Sequence, residues 1–404
     1  QPALGFAELE SLYDSTAVSA VGTQAALVDD EVDFNRLGGC VKACKLLTTL
    51  DTTEWRKIES YLIQNTPEHA AMLTEGKLTI GLSTYGLQVS PGTLNATGLS
   101  IKKAIRKASG RSVRLVPNNA TELSSAQIYH NHLTAERAWE LVLVADGNKT
   151  HLAQTFAVQD IDAYTLRDRG RPKRDARVGM LPPKLAQIII NLAVSHRHQA
   201  LGIRKSELPD NALSLAPTIL DPFCGTGVLL QEALLMGYNA YGTDLEPRMI
   251  DYSKTNLEWL STVYDLPSTI YRLDQGDATS HHWNFSELKI PNPELVIACE
   301  TYLGKPFTSR PDPGTLAKTV SEVDLILRKF LKNLHPQLTP GSRLCLAVPA
   351  WQTAPHKFKH LPIVDSLEKM GYNRVSFEHV RDDQLVYYRE DQVVARQLLV
   401  ITRK

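Results

Sequence analysis

A doubly wound α/β sheet in the C-terminal half, preceded by an α+β N-terminal half, is the fold class predicted by this 404-residue sequence. Three observations carry it. Strand and helix patterns alternate from residue 217 onward, which implies a mostly parallel sheet. A glycine-containing loop, Asp221-Pro-Phe-Cys-Gly-Thr-Gly227, follows the first of those strands. The run Glu294–Cys299 is apolar without alternation, as a strand buried on both faces must be.

From the start, Phe6–Tyr13 reads as a helix and Val18–Val28 as one strand. Cys40 and Cys44, four apart, are expected on one face of a helix. Thr53–Ile63 is helical, Lys77–Ser83 a strand, Ile101–Ala108 a helix, Val113–Val116 a strand and Ser124–Leu133 a helix. Glu140–Ala145 and Leu152–Val158 are strands around Asp146-Gly147, a hairpin signal because glycine accepts the positive φ of a tight turn. Asp162–Gly179 is polar and charged and reads as a linker.

In the C-terminal half, Pro217–Leu220 is the first strand and Val228–Met236 its helix. Asn239–Leu245 is the second strand. Pro247–Leu260 is the second helix, with proline at its first position, where a missing N–H costs nothing. Ser268–Leu273 and Glu294–Cys299 are strands three and four, Ser321–Leu334 a helix and Arg343–Val348 strand five. A helix near Ser366–Met370 precedes two long strands, Arg374–Val380 and Gln397–Thr402, with Leu385–Tyr388 between them.

Lys plus Arg equals Asp plus Glu, 44 each, so net charge neither supports nor excludes a nucleic-acid partner; only clustering can. The five cysteines are few, odd in number and dispersed, which argues against a disulfide framework and for a reducing cytoplasm. No apolar run is long enough for a membrane span. The pairs His196/His198 and His281/His282 lack Cys or carboxylate partners at usable spacing, so no metal is expected.

The loop Asp221–Gly227 lies where an open α/β sheet binds ligands, at the carboxyl end of its first strand. Glycines there let backbone approach a ligand closely. The loop is not a phosphate-binding P-loop, because no Gly-Lys-Ser/Thr follows, and a dinucleotide fingerprint would need glycine at Leu230. Asp244 ends strand two, where a carboxylate can accept both hydroxyls of a ribose. Asp277, in Gly276-Asp277-Ala278 after strand three, is placed to accept an adenine amino group.

The loop resembles the cofactor loop of amino-directed nucleic-acid methyltransferases. Leu123-Ser-Ser-Ala-Gln127, Val158-Gln-Asp-Ile161 and the stretch Arg167–Gln187 resemble the THUMP-domain tRNA guanosine N2-methyltransferases of archaea and eukaryotes. The resemblance covers most of the chain and is strongest from Leu123 to Asp244. It implies a Rossmann-like class I methyltransferase domain over 201–404, preceded by an α+β ferredoxin-like module over 1–70 and a THUMP RNA-binding domain over 71–160. A basic, cofactor-proximal linker over 161–200 would join them. The implied cofactor is S-adenosyl-L-methionine, held by Met180, Pro182, Asp221, Phe223, Cys224, Gly225, Thr226, Gly227, Asp244, Leu245, Asp277 and Ala278. The implied substrate is RNA, most simply tRNA, with an accessory protein subunit left open.

Two basic clusters fit that partner. Lys102, Lys103, Arg106 and Lys107 group on one side of a helix, and Arg111 and Arg114 follow with no acid among them. Arg171, Lys173 and Arg174 stand in the linker. Such clusters neutralise phosphates and so position RNA without reading its sequence.

Amino-directed methyltransferases carry Asp/Asn/Ser-Pro-Pro-aromatic after strand four. Here the stretch is Glu300-Thr301-Tyr302-Leu303-Gly304. The prolines are absent and the aromatic is one place early. Glu300 is the candidate catalytic carboxylate, with Tyr302 or Phe307 stacking on the target base. The alternatives are a target atom other than guanine N2, an RNA-binding chain without turnover, and a DNA adenine N6-methyltransferase, which would leave the N-terminal half unexplained. Trp351, after strand five, is expected in the core.

Overall fold

The structure is a computed structural model that describes residues 1–73, 76–175, 181–194, 217–266, 271–283, 295–307 and 309–404. The chain opens with α1 (Pro2–Leu12) and a hairpin of β1 (Val18–Val21) and β2 (Ala25–Val28). Next come β3 (Lys42–Leu50), α2 (Trp55–Ala71), β4 (Leu78–Tyr85), α3 (Pro91–Ser109), β5 (Val113–Leu115), α4 (Ser125–His130), β6 (Ala138–Asp146) and β7 (Lys149–Val158). β3 to β7 form a five-stranded sheet in the order β3-β7-β6-β4-β5, and β6 and β7 are the expected hairpin.

Several expectations need correction here. Val18–Val28 is two strands, because the chain reverses at Gly22, whose φ is +56°. Cys44 lies in strand β3, opposite Thr155, not in a helix. A spacing of four puts two residues on one face of a strand as well as of a helix, so the pair could not discriminate. The expected boundary at residue 70 cuts through one sheet, since β3 pairs with β7 along its whole length.

The helix α3 shows how local chemistry shapes this half. Ser90 caps it by accepting the Thr93 N–H, Pro91 takes the first turn, and Gly110, at φ +69°, ends it. Leu94, Ile101 and Ile105 are buried against the sheet at helical spacing, which leaves Lys103, Arg106 and Lys107 exposed and Lys102 half-buried on the outer side.

The C-terminal half contains α5 (Ile161–Arg169), α6 (Pro183–Ala193), β8 (Thr218–Asp221), α7 (Val228–Leu235), β9 (Asn239–Asp244), α8 (Pro247–Tyr264), β10 (Tyr271–Gln275) and β11 (Leu295–Glu300). After these come α9 (Pro313–Leu334), β12 (Arg343–Ala354), β13 (Lys357–Lys359), β14 (Tyr372–Arg374), β15 (Val386–Tyr387) and β16 (Val394–Arg403). The main path of the sheet is β10-β9-β8-β11-β12-β16-β14, with β13 beside β12 and β15 beside β16. β8 to β12 run parallel, and β16 runs antiparallel to β12 and β14. The expected doubly wound sheet is therefore present. Its order changes direction between β8 and β11, where carboxyl ends of strands open a crevice.

One face packs under α6, α7 and α8, with Leu185, Ile189, Leu229 and Leu257 buried. The other packs under α9, with Val323 and Phe330 buried, and Trp351 lies in this core as expected. Although first in sequence, α1 belongs to the C-terminal half: Leu4 and Ala7 share the core of α6, and Arg343 Nη2 reaches Ser11 Oγ at 2.8 Å.

Three further expectations change. The linker is partly helical: Asp160 caps α5 by accepting the Ala163 N–H, a local bond that the charge count hid. Of the strand expected at Arg374–Val380, only Arg374 belongs to β14, and Val375 keeps one bond to the sheet, its N–H donating to the Val400 carbonyl at 2.9 Å. The chain then leaves the sheet, and the N–H groups of Glu378 and His379 donate to Glu10 of α1, at 2.6 and 2.9 Å. Ser366–Met370 is short 3-10 turns instead of a helix.

Candidate cofactor and substrate site

β8 ends at Asp221, which is buried, and the Phe223 N–H donates to Asp221 Oδ1 at 3.0 Å. That turn swings the chain off the strand. Burial pushes the Asp221 carboxyl well above the usual range; the Phe223 N–H opposes this, and the charges of Asp244 and Glu300 reinforce it. The loop is then held by its own backbone. The Cys224 N–H donates to the Thr243 carbonyl (3.0 Å) and the Gly227 N–H to the Cys224 carbonyl (2.8 Å). From α8, Ser253 Oγ donates to the Gly225 carbonyl and Asn256 Nδ2 to the Thr226 carbonyl, both at 2.8 Å. Gly227 has φ +81°, and a Cβ there would stand 2.9 Å from Ser253 Oγ, so glycine is required twice over. α7 begins at the next residue, and its first-turn N–H groups suit an anionic or polar ligand.

Asp244, at the end of β9, takes the Gly225 N–H on Oδ2 and the Glu246 N–H on Oδ1, each at 2.9 Å. Burial raises its carboxyl, and those two donors oppose the rise. A carboxylate has about four acceptor sites, so each oxygen keeps capacity for a hydroxyl. Leu245 beside it is 59% exposed, an apolar surface with no core to join. After β10, Asp277 Oδ1 accepts the Thr279 N–H at 2.9 Å, and Ala278 is buried beneath. The Gly276 N–H donates to the Asp244 carbonyl at 2.9 Å, which ties the ends of β9 and β10 together. Asp221, Asp244 and Asp277 thus stand at the carboxyl ends of three adjacent strands.

Not every expected cofactor residue can touch a ligand with its side chain. Cys224 is buried in the core beside Ser253, and burial drives its thiol well above the usual value. Thr226 is also buried. Phe223 turns to the opposite face, edge-on to Phe330 with centroids 5.0 Å apart. Pro182 caps the start of α6, and Met180 lies outside the described residues.

Glu300 closes β11, level with Ala347 of β12. Its Oε1 accepts the Arg396 Nε–H at 2.9 Å, and the two side chains are only 13% and 8% exposed. Arg396 comes from β16, two strands away. The Thr301 N–H and Oγ1 both donate to the Ala347 carbonyl, at 3.0 and 3.3 Å, so the chain is clamped directly after the carboxylate. Tyr302 is 43% exposed, whereas Phe307 is half-buried against the α9 core. Sequence reading missed Arg396. Its signal was a cation just ahead of the apolar run Leu398–Ile401, but nothing local named its partner.

The expected RNA residues divide. Lys103, Arg106 and Lys107 are exposed on α3. Arg111 Nη2 donates to the Leu73 carbonyl (2.9 Å) and Arg114 Nη2 to Asn131 Oδ1 (2.8 Å), so both are anchored locally. Lys173 and Arg174 are exposed. Arg171 is a correction: it is 3% exposed and cannot reach a phosphate at the surface. The linker folds against α7 and α8 instead, with Arg167 paired to Glu232 at 2.8 Å and Lys173 bonded through its backbone to Asn256.

Among the described residues, no group of three His, Cys, Asp or Glu converges as a metal site. No helix there is long and apolar enough to cross a membrane. His196 and His198 lie outside the described residues.

No protein-family model matches the chain. It is 28% identical over 172 residues to the tRNA (guanine(10)-N2)-dimethyltransferase of Methanothermobacter thermautotrophicus, covering 42% of this chain and 39% of that protein. It is 29% identical over 173 residues to the protein of the same name from Pyrococcus abyssi, with the same coverage. The chain therefore spans only 39% of the length of these curated relatives. Among solved structures it is similar to TrmN from Thermus thermophilus, with TM-score 0.48 and 16% identity over 100% of this chain and 97% of that one. It is also similar to a predicted N6-adenine-specific DNA methylase from Listeria monocytogenes, with TM-score 0.41 and 13% identity over 89% of this chain and 82% of that one.

Proposed function

We propose that this chain transfers a methyl group from S-adenosyl-L-methionine to an exocyclic amine of tRNA, with guanine N2 as the target. The observation that carries the reading is the row of carboxylates Asp277, Asp244, Asp221 and Glu300 at the ends of β10, β9, β8 and β11, adjacent strands of one sheet. The curated relatives' names support the substrate class.

The residues present fit the cofactor. Asp244 keeps an acceptor site on each oxygen for the ribose hydroxyls, Leu245 offers an apolar face to the adenine, and Asp277 can accept from its amino group. When bound, the cofactor supplies an electrophilic methyl group. Glu300 would accept a hydrogen bond from the target amine, which holds the nitrogen lone pair toward the site and favours the positive charge that develops there. Arg396 Nε–H holds Glu300 Oε1 at 2.9 Å, which orients the carboxylate and leaves Oε2 as an acceptor. Tyr302 would stack on the flipped base. The five-stranded N-terminal sheet, with α3 on its surface, is read as the THUMP-type module that holds RNA. Five free cysteines agree with the cytoplasm as its compartment.

The deciding experiment is incubation with labelled S-adenosylmethionine and bulk tRNA, followed by nucleoside analysis. The expected product is N2-methylated guanosine. In Glu300→Gln, cofactor and tRNA binding should persist while turnover falls by about 100-fold. A second reading, an RNA-binding chain without turnover, is favoured by the Arg396 pair, which already occupies one oxygen of Glu300. Tight tRNA binding with no methylated nucleoside would select it.

A further inference from the structure

β12 does not stop where its neighbour does. β11 ends at Glu300, level with Ala347, but β12 continues to Ala354 and folds back as β13. Pro349 in this extension lacks an N–H, which is tolerated because β11 has already ended and that side needs no ladder bond. The extension stays paired to β16 as far as Trp351–Val394. It has a small core of its own, Ala350, Val386 and Ala395, with Phe358 and Tyr388 packed against it. Tyr388 Oη and His356 Nδ1 lie 2.9 Å apart, and Arg310 Nη1 donates to the Thr353 carbonyl at 3.4 Å. The hairpin is thus a built wall that rises beyond the catalytic edge, tied to the loop that follows Glu300.

Its charge is one-sided. Lys357 and Lys359 are exposed, and no Asp or Glu occurs from Pro349 to Val364. From Thr301 to Pro311 the loop carries Lys305 and Arg310, both exposed, and no acid. The neighbouring turn adds Arg389 against Glu390 and Asp391, so five cations face two carboxylates on this rim. Such an excess is notable in a chain with 44 cations and 44 anions. Lys359 pairs with Trp351, four residues beyond Ala347 along the strand, or about 13 Å above the level of Glu300.

We propose that the β12–β13 hairpin is an RNA-backbone contact surface whose Lys357 and Lys359, with Arg310, hold phosphates flanking the nucleotide presented to Glu300. This rests on the reading above, that the substrate is RNA. Compact ammonium charges on a rigid strand pair suit phosphate oxygens, which position a strand without reading its sequence. The surface is separate from α3, and the two would grip the RNA at different points.

The test compares the full chain with Lys357→Glu/Lys359→Glu, and with Lys357→Gln/Lys359→Gln as the milder pair. S-adenosylmethionine binding by calorimetry and the melting temperature should match the native chain, because both side chains are exposed. KM for tRNA should rise tenfold or more in the Glu pair, with kcat little changed. The plot of log tRNA affinity against log salt should become shallower by about 1.4–1.8 for two lost phosphate contacts. A native KM and an unchanged salt slope in the folded Glu pair would overturn the hairpin proposal while leaving the enzyme reading intact. Absence of tRNA binding by the native chain, at any salt, would overturn both.

Discussion

The two sides of the crevice are built by different means. On the side of the proposed cofactor site, backbone N–H groups of Gly225 and Glu246 grip the Asp244 carboxylate, and the Ser253 and Asn256 side chains of α8 tie down the loop carbonyls. On the side proposed for the substrate, Glu300 is held by a guanidinium from a strand 96 residues later in the chain. A backbone-held site depends on glycine geometry and tolerates few shapes. A side-chain-held site depends on one partner, and losing it leaves a charge nearly buried and alone.

The largest effect should come from breaking that pair. Arg396→Ala is expected to cost about 3–5 kcal/mol of stability, because it strands the Glu300 carboxylate, and Arg396→Lys should recover part of it. Chemical denaturation of Glu300→Gln, Arg396→Ala and Glu300→Gln/Arg396→Ala measures this. The double variant should lose less than the sum of the singles, the mark of a direct pair. Additive losses would mean that the two groups act separately.

Glu8 offers a backbone-gripped carboxylate far from the crevice in sequence. It accepts the N–H groups of Gly38 (2.9 Å) and Gly39 (2.8 Å) and Asn191 Nδ2 (2.7 Å). Even so, burial pushes its carboxyl up to about 7 from 4.5. The folded state therefore binds this proton more tightly than the unfolded state. Stability at this site is greatest below about pH 4.5 and falls as pH rises through 7, by about 3 kcal/mol in all. Glu232, pushed up to about 7 by burial with Arg167 opposing, contributes with the same sign. Denaturation between pH 5 and 8 should show the decline, and Glu8→Gln should flatten it. An unchanged slope would show that the three donors, not burial, set the behaviour of Glu8.

The smallest expected effect tests the cofactor side. Gly227→Ala forces a Cβ against Ser253 Oγ and strains a positive φ, at about 1–3 kcal/mol of stability. Affinity for S-adenosylmethionine should fall about tenfold or more, read by calorimetry, while tRNA binding persists. Native affinity in this variant would mean that the loop is not where the cofactor sits.

The sequence alone determined the elements whose signals are local. Alternation of strand and helix produced the doubly wound sheet, and the glycine loop with Asp244 and Asp277 marked the carboxyl edge of its strands, because turns and strand ends are written within a few residues. Lys102, Lys103, Arg106 and Lys107 were legible on α3 for the same reason: helical spacing alone puts them on the side away from Leu94, Ile101 and Ile105. Only the tertiary structure decided what depends on distant partners. Burial of Arg171 against the helices, β3 joining β7 across the expected boundary, α1 packing on the C-terminal half and Arg396 reaching Glu300 all join residues far apart in the chain. Side-chain pairing across strands has no sequence period, so the cation that pairs with Glu300 became visible only when the strands were laid side by side.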